Sequence, residues 1–287
     1  MKAVYLRELK SYFAGFLGFL FIAAMLLITG VYAYVMNFVQ KYPTFGTTLY
    51  SVTFAYLIFI PMLTMRTFAQ ERNLKTIDLL YSLPLTPAQI VGGKYLALLT
   101  VLAIPCAVMC VYPLIMSFFG HVELLTSFSS LLGFFLLGAA LAAIGMFLSS
   151  LTSNQIGAAI LIFIAVFFSF LAGDIAGFIP STAYASFTAL LITVLILALC
   201  VYFMTKNGVF AAALAIVLEI VLTVFYFANN ALFAGLFPRI FRALAVFSRF
   251  DPFVSGLFDV GSVVYFITVS ALFLFFCILS LERRRWN

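Results

Sequence analysis

Long apolar runs separated by short polar breaks dominate the chain. Residues 1–13 place Val4, Tyr5, Leu9, Tyr12 and Phe13 on one side of a helix, with Lys2, Arg7 and Lys10 mostly elsewhere. That is the pattern of a short helix lying in a membrane interface. Apolar runs follow near 14–37, 49–68, 90–118, 128–150, 155–178, 184–205, 208–229 and 262–281, rich in Leu, Phe, Ala and Ile. About 20 such residues carry a helix across about 30 Å of hydrocarbon. Backbone groups in lipid must bond internally, so spans are helices or closed barrels, and continuous rather than alternating runs exclude a barrel. The pattern predicts an all-α polytopic membrane protein with about eight transmembrane helices: an interfacial helix over 1–13, then one transmembrane domain over 14–287.

Composition narrows the class further. Charged residues make up 8% of the chain and hydrophobic residues 66%, whereas a soluble domain carries about 25% charged residues. The net charge of +6 is spread thinly, with no basic stripe for nucleic acid, so its placement reads as a topology signal. With the N-terminus inside, Lys2, Arg7, Lys10, Arg66, Arg72, Lys75, Lys94, Lys206, Arg283, Arg284 and Arg285 fall on the cytoplasmic side. Lys41, Arg239, Arg242 and Arg249 fall outside, dividing the 15 basic residues 11 to 4. Both termini are therefore expected in the cytoplasm. Cys106, Cys110, Cys200 and Cys277 all lie in apolar runs and read as small buried hydrophobes rather than metal ligands. The first run is too long for a signal-peptide core and lacks a small-residue cleavage site, so it is expected to stay as a helix.

Several positions stand out against this background. Over 236–253, a spacing of ~100° per residue gathers Phe237, Ile240, Phe241, Leu244 and Phe247 on one face and Arg239, Arg242 and Arg249 opposite. This predicts an amphipathic helix on the outer leaflet: a connecting lid, or a surface for lipid headgroups or an extracytoplasmic partner. Glu219 stands eleven residues past Gly208, near mid-membrane, where a carboxylate costs about 3 kcal/mol unless paired, neutral or hydrated. It is a candidate for the transport pathway or for a structural hydrogen bond. Gly138, Ala142, Gly145 and Ser149 form a small-residue face suited to close helix packing. Pro61, Pro105 and Pro113 are expected to kink the second and third spans.

The longest expected cytoplasmic stretch, over 69–89, reads AQERNLKTIDLLYSLPLTPAQ. Its Glu71-Arg72 pair ends the second span, Thr76-Ile77-Asp78-Leu79-Leu80 leads toward Pro84, and Gly93-Lys94 opens the third. This arrangement, with AIGMFLSSLTSNQIGAA (143–159), RFDPFVSGLFDVGSVVYF and the closing LERRRW, resembles ABC-2-type transporter permeases of the bacterial gliding-motility-permease type. It departs from the family pattern at Leu74 and Asp78. The resemblance implies a six-span core, here with an extra pair, and a cytoplasmic coupling helix through which a separate ATPase acts. In that role Ile77, Leu80 and Tyr81 would fill a groove on the ATPase while Glu71, Arg72 and Asp78 fix the register; Thr76, Leu79, Pro84 and Lys94 complete the element. The resemblance further implies an ABC ATPase partner in two copies carrying ATP and Mg, and a second permease chain, identical or related. It also implies a bacterial inner-membrane location. The expected substrate is amphiphilic and exported.

Other classes are less well supported. Gly92-Gly93-Lys94 is no phosphate loop, because Ala88 and Tyr95 stand where Gly and Ser or Thr belong. No catalytic set accompanies the single histidine, His121, so the chain is read as non-enzymatic, with no cofactor or metal of its own. A proton-driven transporter using Glu219 would show internal repeats and more intramembrane charges. An ABC-like scaffold that drives an extracytoplasmic auxiliary protein would look the same in sequence.

Overall fold

The computed structural model describes residues 1–74, 85–120, 122–178, 180–206 and 208–285. All regular structure among them is helical. Six stretches are long and apolar enough to cross a membrane: Phe16–Val39, Phe45–Asn73, Pro87–Phe119, Leu124–Leu151, Gln155–Phe178 and Val260–Arg283. Eight were expected. Of the remaining two, Ala183–Leu199 is shorter, and Ala212–Ala228 is long enough only together with Asn230–Leu244, from which it is bent by 114°.

The chain divides into two compact units, residues 1–168 with 246–287, and 169–245. In the first, helix α1 (Lys2–Ala14) ends at Gly15, and α2 (Phe16–Ala33) continues into a π-helical turn, Tyr34–Val39. Asn37 anchors that turn: its Nδ2 donates to the carbonyls of Tyr42 (3.0 Å) and Thr44 (3.1 Å), and its Oδ1 accepts from Thr48 (2.6 Å). The second span is α3 (Phe45–Val52), a 3-10 turn and α4 (Tyr56–Thr64), followed by the short α5 (Ala69–Asn73).

The third span is jointed. Its first part, α6 (Pro87–Met109), opens with a capping box in which Thr86 and Gln89 exchange side-chain and backbone bonds and Pro87 sits in the first turn. Helix α7 (Val111–Phe119) follows after Cys110. Pro113 has no N–H for the carbonyl of Met109, which accounts for a joint at this point.

Helix α8 (Leu124–Leu151) is the centre of the unit and the most deeply buried of the six spans. Helices α3, α4, α6 and the closing α15 (Val260–Arg285) surround it. The close approach needs glycine. A Cβ on Gly138 would stand 2.8 Å from the Tyr56 hydroxyl, and one on Gly133 would stand 2.7 Å from the Phe253 ring. The Tyr56 ring stacks on Phe134 at 4.6 Å and its hydroxyl donates to the Phe134 carbonyl. Helix α9 (Gln155–Phe178) begins in this unit.

The second unit is built on α10 (Ala183–Thr205) and α11 (Gly208–Ala228), an antiparallel pair locked at one end by Phe187 stacked on Tyr226 at 4.3 Å. The turn between them begins at Lys206, whose φ of 52° is left-handed. Short α12 (Asn230–Phe233) and amphipathic α13 (Leu236–Leu244) follow.

The amphipathic helix expected over 236–253 ends at Leu244. A 3-10 turn (Phe247–Phe250) and the single-turn α14 (Asp251–Val254) replace its second half. The cause is burial: Phe250 and Phe253 are fully enclosed in the first unit, where Ser130 Oγ donates to the Phe253 carbonyl at 2.7 Å. Packing these rings overrides the helical register, as tertiary contacts commonly override local propensity.

Candidate coupling site at the N-terminal helix

Helix α1 lies against α6. A Cβ on Gly93 would stand 3.0 Å from Val4 Cβ, and one on Gly92 3.2 Å from the Met1 side chain, so the paired glycines admit α1 closely. Tyr5 and Thr100 share a hydroxyl hydrogen bond of 3.1 Å. The buried Tyr12 hydroxyl donates to the Leu63 carbonyl at 3.0 Å, near the end of α4, where carbonyls lack intrahelical donors. Val4, Glu8 and Tyr12 thus form one inward stripe at i, i+4 and i+8, interrupted by a carboxylate.

That carboxylate joins a four-charge cluster. Lys94 Nζ lies 2.8 Å from Glu8 Oε1 and 3.0 Å from Glu71 Oε2. Arg7 bridges the same two acids, 2.8 Å from Glu8 Oε1 and 2.6 Å from Glu71 Oε1. Two cations and two anions leave the cluster neutral. The Lys94 side chain is 1% exposed and also stands 5.2 Å above the Phe68 ring, a favourable cation–π position. A buried ammonium needs such partners, because desolvation alone costs several kcal/mol.

The cluster ties together three segments: α1 through Arg7 and Glu8, α5 through Glu71, and the start of α6 through Lys94. A five-residue helix is not stable alone, so α5 depends on what holds it. The second hold is Ser149 on α8, whose Oγ accepts from the backbone N–H groups of Phe68 (3.3 Å) and Ala69 (3.2 Å) and donates to the Met65 carbonyl (3.2 Å). One hydroxyl therefore satisfies both sides of the break between α4 and α5.

Burial by itself would raise the Glu8 carboxyl. The charge and hydrogen bond of Lys94, then those of Arg7, outweigh burial and hold it below its ordinary value of 4.5. A depressed carboxyl contributes stability that is present above the unfolded-state value and lost as pH falls through the folded one. Glu8→Gln is therefore expected to lower the thermal unfolding midpoint in detergent at pH 7. The gap to the unaltered protein should close as the pH is taken progressively below 4.5; a gap constant down to strong acid would remove this role from Glu8.

The other sequence-selected positions are distributed as follows. Glu71 and Lys94 meet in the cluster, with their charged groups turned onto α1, and Arg72 is half-buried beside them on α5. Thr76, Ile77, Asp78, Leu79, Leu80, Tyr81 and Pro84 lie outside the described residues. Gly138, Ala142, Gly145 and Ser149 are all buried on α8, with Gly138 against Tyr56 and Gly145 against Thr64. Glu219 is half-buried on the stripe of α11 shared with Ala215, Leu222 and Tyr226. Its carbonyl accepts from Thr223 at 2.7 Å, and its carboxylate has no hydrogen-bond or ion-pair partner among the described residues. Arg239 and Arg242 are exposed on α13, whereas Arg249 belongs to the first unit and stands 5.1 Å over the Tyr265 ring of that same unit.

Sequence reasoning missed Glu8, and it took Arg7 only as a topology signal. The available signal was a lone acid on the otherwise apolar stripe of α1. Asp259 was also missed: it caps α15 by accepting from the N–H groups of Gly261 and Ser262, both at 3.0 Å, and from the Ser262 hydroxyl at 2.6 Å. The Ser262 hydrogen bond, first among several, holds its carboxyl below the ordinary value. No group of three or more His, Cys, Asp or Glu suited to a metal occurs among the described residues.

These features define an integral, all-helical polytopic membrane protein in which the segments flanking the loop after the second span are clamped by buried charge. Residues 36–229 match the family described as ABC-2 family transporter protein. The chain belongs to that family and is an ABC transporter permease subunit. Permeases of this family generally work with an ABC ATPase partner. No curated protein and no solved structure matches the chain.

Proposed function

We propose that this permease exports an amphiphilic substrate across a plasma membrane, driven by ATP hydrolysis on a separate ATPase subunit that meets it at the 69–89 loop. The observation that carries this reading is the clamp on both flanks of that loop. Glu71 stands at its beginning and Lys94 follows its end, and both are ion-paired to α1 and to one another. A push on the loop would move α1, α4 and α6 as a unit instead of being lost in a slack connection. Lys94 and Glu71 would then work as internal struts, leaving residues 75–84 for the ATPase surface. Two ATPase copies with ATP and Mg, a second permease chain and cytoplasmic termini complete the arrangement. The 11 to 4 division of basic residues supports that orientation.

The test leaves the struts intact. Residues 75–84 are replaced by a Gly/Ser linker of equal length, and co-purification from detergent is compared with the unaltered chain. The unaltered chain should recover an ATPase subunit; the linker variant should lose it while keeping its unfolding midpoint. Recovery of ATPase by both would move the contact elsewhere, and recovery by neither would remove the ATP-driven reading.

A further inference from the structure

Beside the charge cluster, a cleft of about 360 Å³ opens between α1, the first turn of α2 and the segment joining α4 to α5. Its free chemistry comes from Ser11, Leu17, Arg66, Gln70 and Leu74. Arg7, Glu8 and Glu71 also reach it, but with Lys94 they form the neutral cluster, and the Tyr12 hydroxyl is held by Leu63. Arg66 therefore sets the sign of the cleft. Its side chain is exposed and has no ion-pair partner among the described residues.

The position of the cleft indicates its occupant. Leu17 lies in the first turn of one span, Phe16–Val39, and Arg66 lies in the closing part of the next, Phe45–Asn73. The cleft thus sits where two adjacent spans meet the same membrane face, at the depth of headgroups. Phe16 is 76% exposed and Phe19 56%, giving an apolar shoulder beside Leu17 for acyl chains. A guanidinium binds phosphate through a planar fork, and a hydroxyl and a carboxamide stand beside it for further hydrogen bonds.

We infer that this cleft is a binding site for the phosphate headgroup of an anionic phospholipid, with Arg66 as the anion-binding residue. The inference does not depend on ATP-driven export. An acidic side chain of a partner protein is the competing occupant, and the cleft's opening beside exposed apolar surface favours the lipid.

The experiment uses the full chain in detergent, titrated with dioctanoyl-phosphatidylglycerol, dioctanoyl-phosphatidylcholine or inorganic phosphate while the unfolding midpoint is followed. Phosphatidylglycerol should raise the midpoint saturably and the other two should not. Arg66→Gln should keep the unliganded midpoint and weaken the response about fivefold, as expected for one basic residue near an anionic headgroup. Arg66→Lys should weaken it less, and Lys10→Gln, which removes an exposed charge outside the cleft, should leave it unchanged. Equal responses to the two lipids, or an unchanged response in Arg66→Gln, would overturn the site. Saturation by inorganic phosphate alone would make it a free-anion site and overturn the lipid. An Arg66→Gln chain that keeps the lipid response but loses a co-purifying protein would assign the cleft to that protein.

Discussion

Lys94→Met should be the most damaging single change in the first unit, lowering stability by about 3–5 kcal/mol, the range for removing one partner of a buried ion pair. Methionine keeps most of the length of the side chain but loses the ammonium that stands over Phe68. What it removes is the charge that faces Glu8 and Glu71 at 2.8 and 3.0 Å. Of the two cations in the cluster only Arg7 then remains, its side chain 51% exposed, and the four-residue cluster changes from neutral to one net negative charge. Thermal unfolding in detergent reads the loss directly. Adding Glu8→Gln to Lys94→Met cancels the surplus charge, so the double variant should be more stable than Lys94→Met alone. An unchanged midpoint in Lys94→Met, or no recovery in the double variant, would mean that the cluster contributes little.

Gly145→Leu should rank next, with a cost at or above the upper end of the ~1–3 kcal/mol usual for overpacking. A Cβ at this position already collides with Thr64 Oγ1 and stands 2.9 Å from Thr64 Cβ. Both residues are buried on helices whose backbones are fixed by neighbours, so the excess volume forces α8 and α4 apart. That movement would also pull Ser149 from the Phe68 and Ala69 amides it caps. Gly145→Ala isolates the cause. In an open helix, Gly→Ala gains about 1 kcal/mol, whereas here the collision should reverse the sign. Gly177→Ala on α9, where nothing lies within 4 Å of the added Cβ, should be neutral or stabilising. Matching results at the two positions would show that α8 and α4 yield easily.

How much of this was legible in advance differs by element. Most span positions followed from the apolar runs, because backbone bonding inside a lipid-facing helix is local and needs no partner segment. Residues 236–253 were harder. Their periodicity describes a helix correctly as far as Leu244, but Phe247, Phe250 and Phe253 are placed by the core they enter. The small residues of α8 signalled close packing without naming Tyr56, Thr64 or Phe253 as the groups they admit. The third span was expected to kink at its prolines, and its joint falls at Cys110, three residues before Pro113, which has no N–H for the Met109 carbonyl.

The candidate site was legible at one remove. Glu71 and Lys94 drew attention through their positions at two span ends, yet nothing in the sequence paired them with each other or with α1. The partner of Lys94 on α1 lies 86 residues away, and no periodicity links the two. Glu8 drew no attention in the sequence, because only the packing of α1 along Gly92 and Gly93 brings it to Lys94.

The sequence by itself determined the solvent, the helical class and the approximate placement of the spans. Transfer into hydrocarbon and helical hydrogen bonding act residue by residue along the chain, so a run of apolar side chains is sufficient to specify them. Only the tertiary structure decided which charges neutralise one another, which hydroxyl caps which broken helix, and which cation stays exposed beside them. Those outcomes depend on distances of about 3 Å between segments remote in sequence, where the loss of water makes each pairing strong and each missing partner costly.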